Sequence, residues 1–362
     1  MSFERNNIRA MSGYTSGEQP DRPDIIKLNT NENPYPPGPA VERALRAIDV
    51  QSLRRYPPPT ASGLRQSLAE LHKISADNLV VTNGGDELLR LVLATFVEPG
   101  NAGGDCIGVA DPSYSLYDVL AAAHGCGLKK FPLRADWSLP PDFAAQLNAA
   151  NVKLCFIVNP HAPSGHLTSA QDIERIAREF RGVLVLDEAY VDFVDPDRKY
   201  DCIPLTARCD NLLILRTFSK GYSLAGLRMA YGIGGRALID PMQYKTKDSY
   251  NTDFIAQTLA RAAIEDQAYA ADTWRRVREQ RTWLMRELQD LGFKMPKSQS
   301  NFLLATVPAP HNAADVYQAL KDCGILVRYF RLPGLEDKLR ITIGSPDENR
   351  RLVDALIRIV NP

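Results

Sequence analysis

From Asn78 onward the chain repeats one pattern: a short, almost continuously apolar run, then a polar or glycine turn, then a stretch of helical periodicity. The runs are Leu79-Val80-Val81, Cys106-Ile107-Gly108-Val109, Leu154 to Val158, Val183-Leu184-Val185-Leu186 and Leu212-Leu213-Ile214-Leu215. Strands without polar alternation are buried on both faces, so the pattern predicts an α/β domain with a parallel sheet covered by helices. Past about residue 245 the texture changes to helical residues over 252–291, strand-like Phe302-Leu303-Leu304, helical 313–321, then strand-like 325–328 and 339–343. That order predicts a smaller α+β domain. Its last helix is announced by a capping box, with Ser345 as cap, Pro346 in the first turn and Glu348 closing the box.

At ~150 residues per domain, 362 residues agree with two domains. Residues before about 60 are rich in Pro, Asn, Gly and Arg, and the stretch Asn29 to Pro39 is too turn-prone for an interior element, so an ordered arm is expected there. The 43 Lys+Arg and 43 Asp+Glu cancel, which gives no footing for nucleic acid or an acidic membrane surface. No stretch approaches the ~18 apolar residues of a membrane span. Six cysteines without a Cys-x-x-Cys pair read as free thiols in a reducing compartment, and a cytoplasmic protein is expected. Arg275, Arg276, Arg278, Arg281 and Arg286 interleave with Glu279 and Glu287 around an apolar face of Trp274, Val277 and Leu284, the pattern of a solvated helix face.

In open α/β sheets ligands bind outside the carboxyl ends of the strands, so the residues ending each run carry the functional information. The first run leads into Asn83-Gly84-Gly85-Asp86-Glu87, a glycine turn and helix start suited to a phosphate, or a plain turn with Asp86 as cap. The second ends in Asp111-Pro112-Ser113-Tyr114, an aromatic able to stack on a planar ligand or simply to pack. The third ends in Asn159, and the fourth in Asp187-Glu188-Ala189-Tyr190, whose acid alone would read as an ion-pairing or capping residue. The fifth ends in Ser219-Lys220, with Arg228 eight residues further. A phosphate cradle, an aromatic, an amide, a buried acid and a lysine on one sheet edge form the set that pyridoxal 5'-phosphate requires.

These segments, together with Asn31-Glu32-Asn33-Pro34, Arg55-Tyr56-Pro57, Tyr250-Asn251, Ser300-Asn301-Phe302 and Leu339-Arg340-Ile341-Thr342, resemble the signatures of fold-type I pyridoxal-phosphate-dependent aminotransferases, in particular the histidinol-phosphate aminotransferase family. The resemblance spans nearly the whole chain. It implies a large cofactor-binding domain at 31–245 with a mainly parallel seven-stranded sheet between helices, a small α+β domain at 246–362, and an arm at 1–30 contributing to the small domain and to a lid. It implies Lys220 as the Schiff-base lysine, Asp187 as partner of the pyridine nitrogen, Asn159 and Tyr190 as partners of the ring hydroxyl, and Tyr114 stacked on the ring. Gly85, Asp86, Ser219 and Arg228 would hold the cofactor phosphate, joined by Tyr56 from a second subunit of a homodimer. Arg340, Arg328, Tyr14, Tyr250 and Asn33 would bind substrate. Alternation in Leu339-Arg340-Ile341-Thr342-Ile343 independently turns Arg340 away from the core. The implied reaction exchanges an amino group between a small-molecule donor, histidinol phosphate, and 2-oxoglutarate; an aromatic or other amino acid is the alternative donor. A decarboxylase or lyase with the same cofactor, or a non-catalytic binding protein of the same fold, are the remaining alternatives. The sequence departs from the family's pattern at His161, Ala162 and Ser164 and at Met11-Ser12-Gly13-Tyr14.

Rival motifs are weaker. Gly232-Ile233-Gly234-Gly235-Arg236-Ala237 fits a dinucleotide fingerprint, but Pro241 interrupts the helix that should follow. Gly221-Tyr222-Ser223-Leu224-Ala225 lacks the last glycine of a nucleophile elbow. The five histidines have no metal-ligand spacing, and no metal is expected.

Overall fold

A computed structural model describes residues 2–20, 22, 24–100 and 104–360. In chain order the strands are β1 (Ile26–Lys27), β2 (Leu79–Thr82), β3 (Cys106–Asp111), β4 (Gly127–Pro132), β5 (Val152–Val158), β6 (Val183–Asp187), β7 (Leu212–Thr217), β8 (Ala230–Gly234), β9 (Phe302–Thr306), β10 (Ile325–Leu326), β11 (Arg328–Tyr329) and β12 (Lys338–Thr342). A seven-stranded sheet runs in the order β2-β8-β7-β6-β5-β3-β4, with only β8 antiparallel to its neighbours. The interior strands are apolar on both faces because helices cover both sides: Leu184, Leu186, Leu212 and Ile214 pack into one cluster, and Val185, Leu213 and Leu215 into another.

Two strands of this sheet are absent from the apolar-run pattern, and each has a reason. β4 lies at the edge, where Lys129 and Lys130 protect its free face, so it lacks an apolar run. β8 contains Gly232 and Gly234, the glycines of the apparent dinucleotide fingerprint. Its Gly232 faces Val80 and Leu88, where an added Cβ would sit 3.0 Å and 3.2 Å from their side chains. The glycine serves close packing of strand on strand and helix. The helix that follows, Arg236–Pro241, ends at the proline and continues as a wider π turn over Met242–Thr246.

The smaller sheet is β11-β12-β9, antiparallel throughout. The single strand expected over 325–328 is divided: β10 pairs in parallel with β1, then the chain shifts so that β11 pairs with β12. The N-terminal segment thereby joins the small-domain core, burying Ile26 and Leu28 beside Ile325 and Ile343. The predicted cap forms, Ser345 N–H donating to Glu348 at 2.7 Å and Glu348 N–H to the Ser345 hydroxyl at 3.3 Å.

The region expected as one helical stretch is two helices, Phe254–Glu265 and Gln267–Asp290. The first packs Ala256, Leu259, Ala260 and Ile264 into the large-domain core, whereas Val277, Leu284 and Leu288 of the second belong to the small-domain core. The chain therefore changes core within the long helix rather than at residue 246. At that crossing Arg281 is buried, in contrast to the solvated face expected for its helix: it donates to the carbonyls of Phe193 (2.9 Å) and Ser300 (2.8 Å) and to the Asp195 carboxylate (2.6 Å). Its aliphatic stem follows the apolar stripe while the guanidinium ties a large-domain loop to the small domain. Arg281→Met leaves those acceptors unpaired and is expected to cost about 3 kcal/mol, read as a lowered urea midpoint.

Candidate active site

Parallel strands deliver their last residues to one edge, and there a cavity of about 760 Å³ opens between the sheet and the small domain. Tyr14, Gly85, Asp86, Tyr114, Asp187, Tyr190, Ser219, Lys220, Arg228, Arg328 and Arg340 all line it. Residues from the arm, the large sheet and the small domain thus meet in one space.

Asp187 ends β6 at the cavity floor and is 5% exposed. Burial pushes its carboxyl up to about 6, against the pull of the Tyr117 hydroxyl, which donates at 2.9 Å, and the Ala189 N–H at 3.1 Å. Lys220 donates to the Thr30 carbonyl at 2.8 Å. Its amine is held down at about 8, first by burial and then by the positive charge of Arg340, with Glu32 acting in the opposite sense. Tyr190 ends the same loop as Asp187; its hydroxyl accepts from Asn31 Nδ2 at 3.0 Å, and burial raises its phenol.

The helix Gly84–Phe96 points its start at the cavity, and no side chain of the capping residue Asn83 closes it. Gly84 has φ +76, and an added Cβ would come within 2.7 Å of Arg228 Nη2, so the glycine both makes the turn and admits the guanidinium. Arg228 lies 3.5 Å from Asp86, both part-exposed. Ser219 is buried, its hydroxyl accepting from Thr217 at 3.0 Å. Open helix N–H groups beside an arginine make an anion site.

At the opposite wall Arg340 reaches between Phe302 and Phe330, its guanidinium carbon 5.3 Å and 5.5 Å from the two ring centroids. It donates to the Asn29 carbonyl at 3.1 Å, and its Nε is buried without a partner among the described residues. Arg328 bonds the carbonyls of Thr15 and Ser16 at 3.3 Å and 3.4 Å, anchoring the arm segment that carries Tyr14 over the cavity. Tyr14 meets Tyr114 edge-on at 5.9 Å.

Other expected site residues stand apart. The Asn159 amide is engaged with the Thr168 carbonyl (3.0 Å) and the Tyr200 hydroxyl (2.7 Å), and does not line the cavity. Asn33 bonds the Gly221 carbonyl at 3.3 Å, again outside it. Tyr56 is 79% exposed and stacks on Tyr250 at 4.3 Å on the outer surface.

The chain matches the family described as aminotransferase class I and II over residues 23–356. It belongs to that family. Histidinol-phosphate aminotransferase 1 of Trichormus variabilis is 43% identical over 356 residues, covering 98% of each chain, and the histidinol-phosphate aminotransferase of Microcystis aeruginosa is 40% identical over 358 residues, again covering 98% of each. The solved histidinol-phosphate aminotransferase of Sinorhizobium meliloti in complex with pyridoxal-5'-phosphate superposes with a TM-score of 0.90 at 25% identity, covering 100% of this chain and 98% of that one. An aspartate aminotransferase variant from Thermus thermophilus shares the fold, with a TM-score of 0.80 at 20% identity over 100% of this chain and 99% of that one.

Two residues of this aminotransferase's site escape sequence reasoning. Asn31, rather than Asn33, reaches the cavity: its φ of 55 turns the side chain toward Tyr190, and Thr342 and Asn301 bond it from the small domain. The asparagines of the turn are indistinguishable until the backbone is known. Tyr117 lies inside an apolar helix start and reads as core. Its position three residues after Tyr114, one turn along, was the available signal.

In the ligand-free aminotransferase, amine-reactive labelling of Lys220, followed by peptide mapping against pH, is expected to show a midpoint near 8. Arg340→Leu removes a neighbouring positive charge that disfavours the ammonium, so the midpoint in that variant should rise.

Proposed function

We propose that this aminotransferase exchanges the amino group between histidinol phosphate and 2-oxoglutarate, with pyridoxal 5'-phosphate as its resident cofactor. The observation that carries the reading is the Lys220 amine, held at about 8, opening onto one cavity with Asp187 on its floor and the guanidiniums of Arg228, Arg328 and Arg340 around it. The names of the relatives support the substrate.

The residues present fit the cofactor. The uncapped helix start at Gly84, with Ser219 and Arg228, would take its phosphate, and the Asp187 carboxylate would pair with its ring nitrogen. Tyr114 would cover the ring and Tyr190 would donate to its hydroxyl. Asn159 follows β5 directly beside Asp187, to whose carbonyl its N–H donates at 2.8 Å, and would reach that hydroxyl by exchanging its bond to Tyr200. When bound, the cofactor supplies an aldehyde that condenses with amines and a heterocycle that draws off the electron pair left at the substrate's α carbon.

Lys220 contributes twice. A depressed amine is neutral in a useful fraction near neutrality, so it can act as a nucleophile and can then accept and return the α proton, a role worth roughly 10²–10⁴ in rate. Asp187 acts by charge, holding the ring nitrogen's proton. Arg340, whose Nε has no partner among the described residues, and Arg328 would bind the phosphate of histidinol phosphate or the carboxylate of glutamate, while Tyr14 would cover the cavity above. Tyr250 and Tyr56, stacked on the outer surface, suit a homodimer in which each subunit's Tyr56 reaches its partner's cofactor phosphate. Asn33 acts from behind, fixing the turn after Lys220 through the Gly221 carbonyl. The working compartment is the cytoplasm, where its free thiols survive. No helix among the described residues is long and apolar enough to cross a membrane.

With 2-oxoglutarate as acceptor, kcat/KM for histidinol phosphate is expected to exceed that for phenylalanine or unphosphorylated histidinol by about tenfold or more, the scale of one charge-assisted contact. Equal or better turnover of the unphosphorylated amines rejects the substrate assignment. Mass spectrometry after borohydride treatment should locate the reduced cofactor adduct on Lys220; an adduct elsewhere rejects the role of that lysine.

A further inference from the structure

Asp187 does not face the cavity floor alone. The helix Leu116–His124 inserts Tyr117 beneath it, fully buried, with its hydroxyl 2.9 Å from Asp187 Oδ2. The ring is fixed on two sides: it stacks on Phe156 of β5 at 4.7 Å with planes 8° apart, and Tyr114 meets it edge-on at 5.6 Å and 82°. With Ala189 N–H on Oδ1, both carboxylate oxygens have a donor. We propose that Tyr117 is a positioning residue of the transamination, holding the Asp187 carboxylate ionised and in a single orientation toward the ring it pairs with. This rests on the assignment of Asp187 to the cofactor's nitrogen made above.

A buried carboxyl without donors takes up a proton, and a protonated acid no longer stabilises a positive ring nitrogen. Asp86 from the neighbouring helix and Glu188 from the same strand end add negative charge and push the Asp187 carboxyl further up; Tyr114 and Tyr190 also face the site, as neutral phenols. Against these, the Tyr117 hydroxyl is the strongest pull toward the ionised form. Burial raises the Tyr117 phenol well above its usual range, so it remains a donor throughout the working pH range. Stacking on Phe156 supplies the orientation: a hydroxyl on a ring that cannot swing fixes the carboxylate rotamer.

Tyr117→Phe keeps both ring contacts and deletes only the hydroxyl. In the cofactor-free protein, the Asp187 carboxyl band, assigned by its loss in Asp187→Asn, is followed by difference infrared spectroscopy against pH. Its midpoint is expected to rise by about one unit or more in Tyr117→Phe, the scale of a hydrogen bond to a charged group. Pyridoxal phosphate affinity, measured by dialysis, should fall in parallel near neutral pH. An unchanged midpoint in Tyr117→Phe overturns the inference. Phe156→Leu keeps the hydroxyl but loosens the ring that orients it, so a smaller rise in the same direction is expected; an unchanged midpoint there overturns the part given to the stacking. If Asp187→Asn binds the cofactor as tightly as the unaltered protein, the reading of Asp187 itself has failed, a result distinct from a failure at Tyr117.

Discussion

The register of the parallel ladder across β5, β6 and β7 underlies the whole site. Val158 lies opposite Asp187, and Asp187 opposite Leu215, so Asn159, Glu188 and Arg216 come into line one step later. Strand alternation then sorts these polar residues onto two sides. Asp187 faces the cavity, whereas Glu188 turns behind the sheet edge and pairs with Arg216 at 2.8 Å, the carboxylate wholly buried. Tyr200 donates to Glu188 at 2.9 Å and accepts from Asn159. A slip of one residue would exchange the cavity floor with its supporting wall.

The electrostatic balance is local. The chain as a whole has no net charge, yet Lys220, Arg228, Arg328 and Arg340 line one cavity against Asp86 and Asp187. Concentrating cations there helps to depress Lys220. Burial of Arg340 beside Phe302 and Phe330 lowers its guanidinium too, while the two rings and the Asn29 carbonyl hold it in place. The arm completes this arrangement, since Arg328 grips its carbonyls and Lys321 pairs with its Glu18 at 2.7 Å. Cavity-lining charge and anchoring of the arm are therefore carried in part by the same residue.

Much of this was legible from the amino acids. The interior strands were visible because burial on both faces demands unbroken apolar runs, and the capping box over Ser345 and Glu348 because it is a local exchange of hydrogen bonds. The strand-end residues Asp187, Ser219 and Lys220 followed from where parallel strands must stop. The edge strand β4 and the antiparallel β8 were hidden for opposite reasons: one needs charge to protect its free face, the other needs glycine to let neighbours approach. Arg281 looked like a surface residue because its helix also carries many exposed charges, yet its acceptors, Phe193, Asp195 and Ser300, come from distant segments.

Sequence order alone settles which side chains emerge at the carboxyl ends of the strands, because hydrophobic periodicity and capping are interactions among near neighbours. It does not settle which way Asn31 or Asn159 turns, which acid receives the Tyr117 hydroxyl, or that the chain crosses from one core to the other inside a helix. Those outcomes depend on contacts between residues tens to hundreds of positions apart, and on which buried polar atom reaches a partner first. Packing makes that choice, and it exists only once both cores have closed.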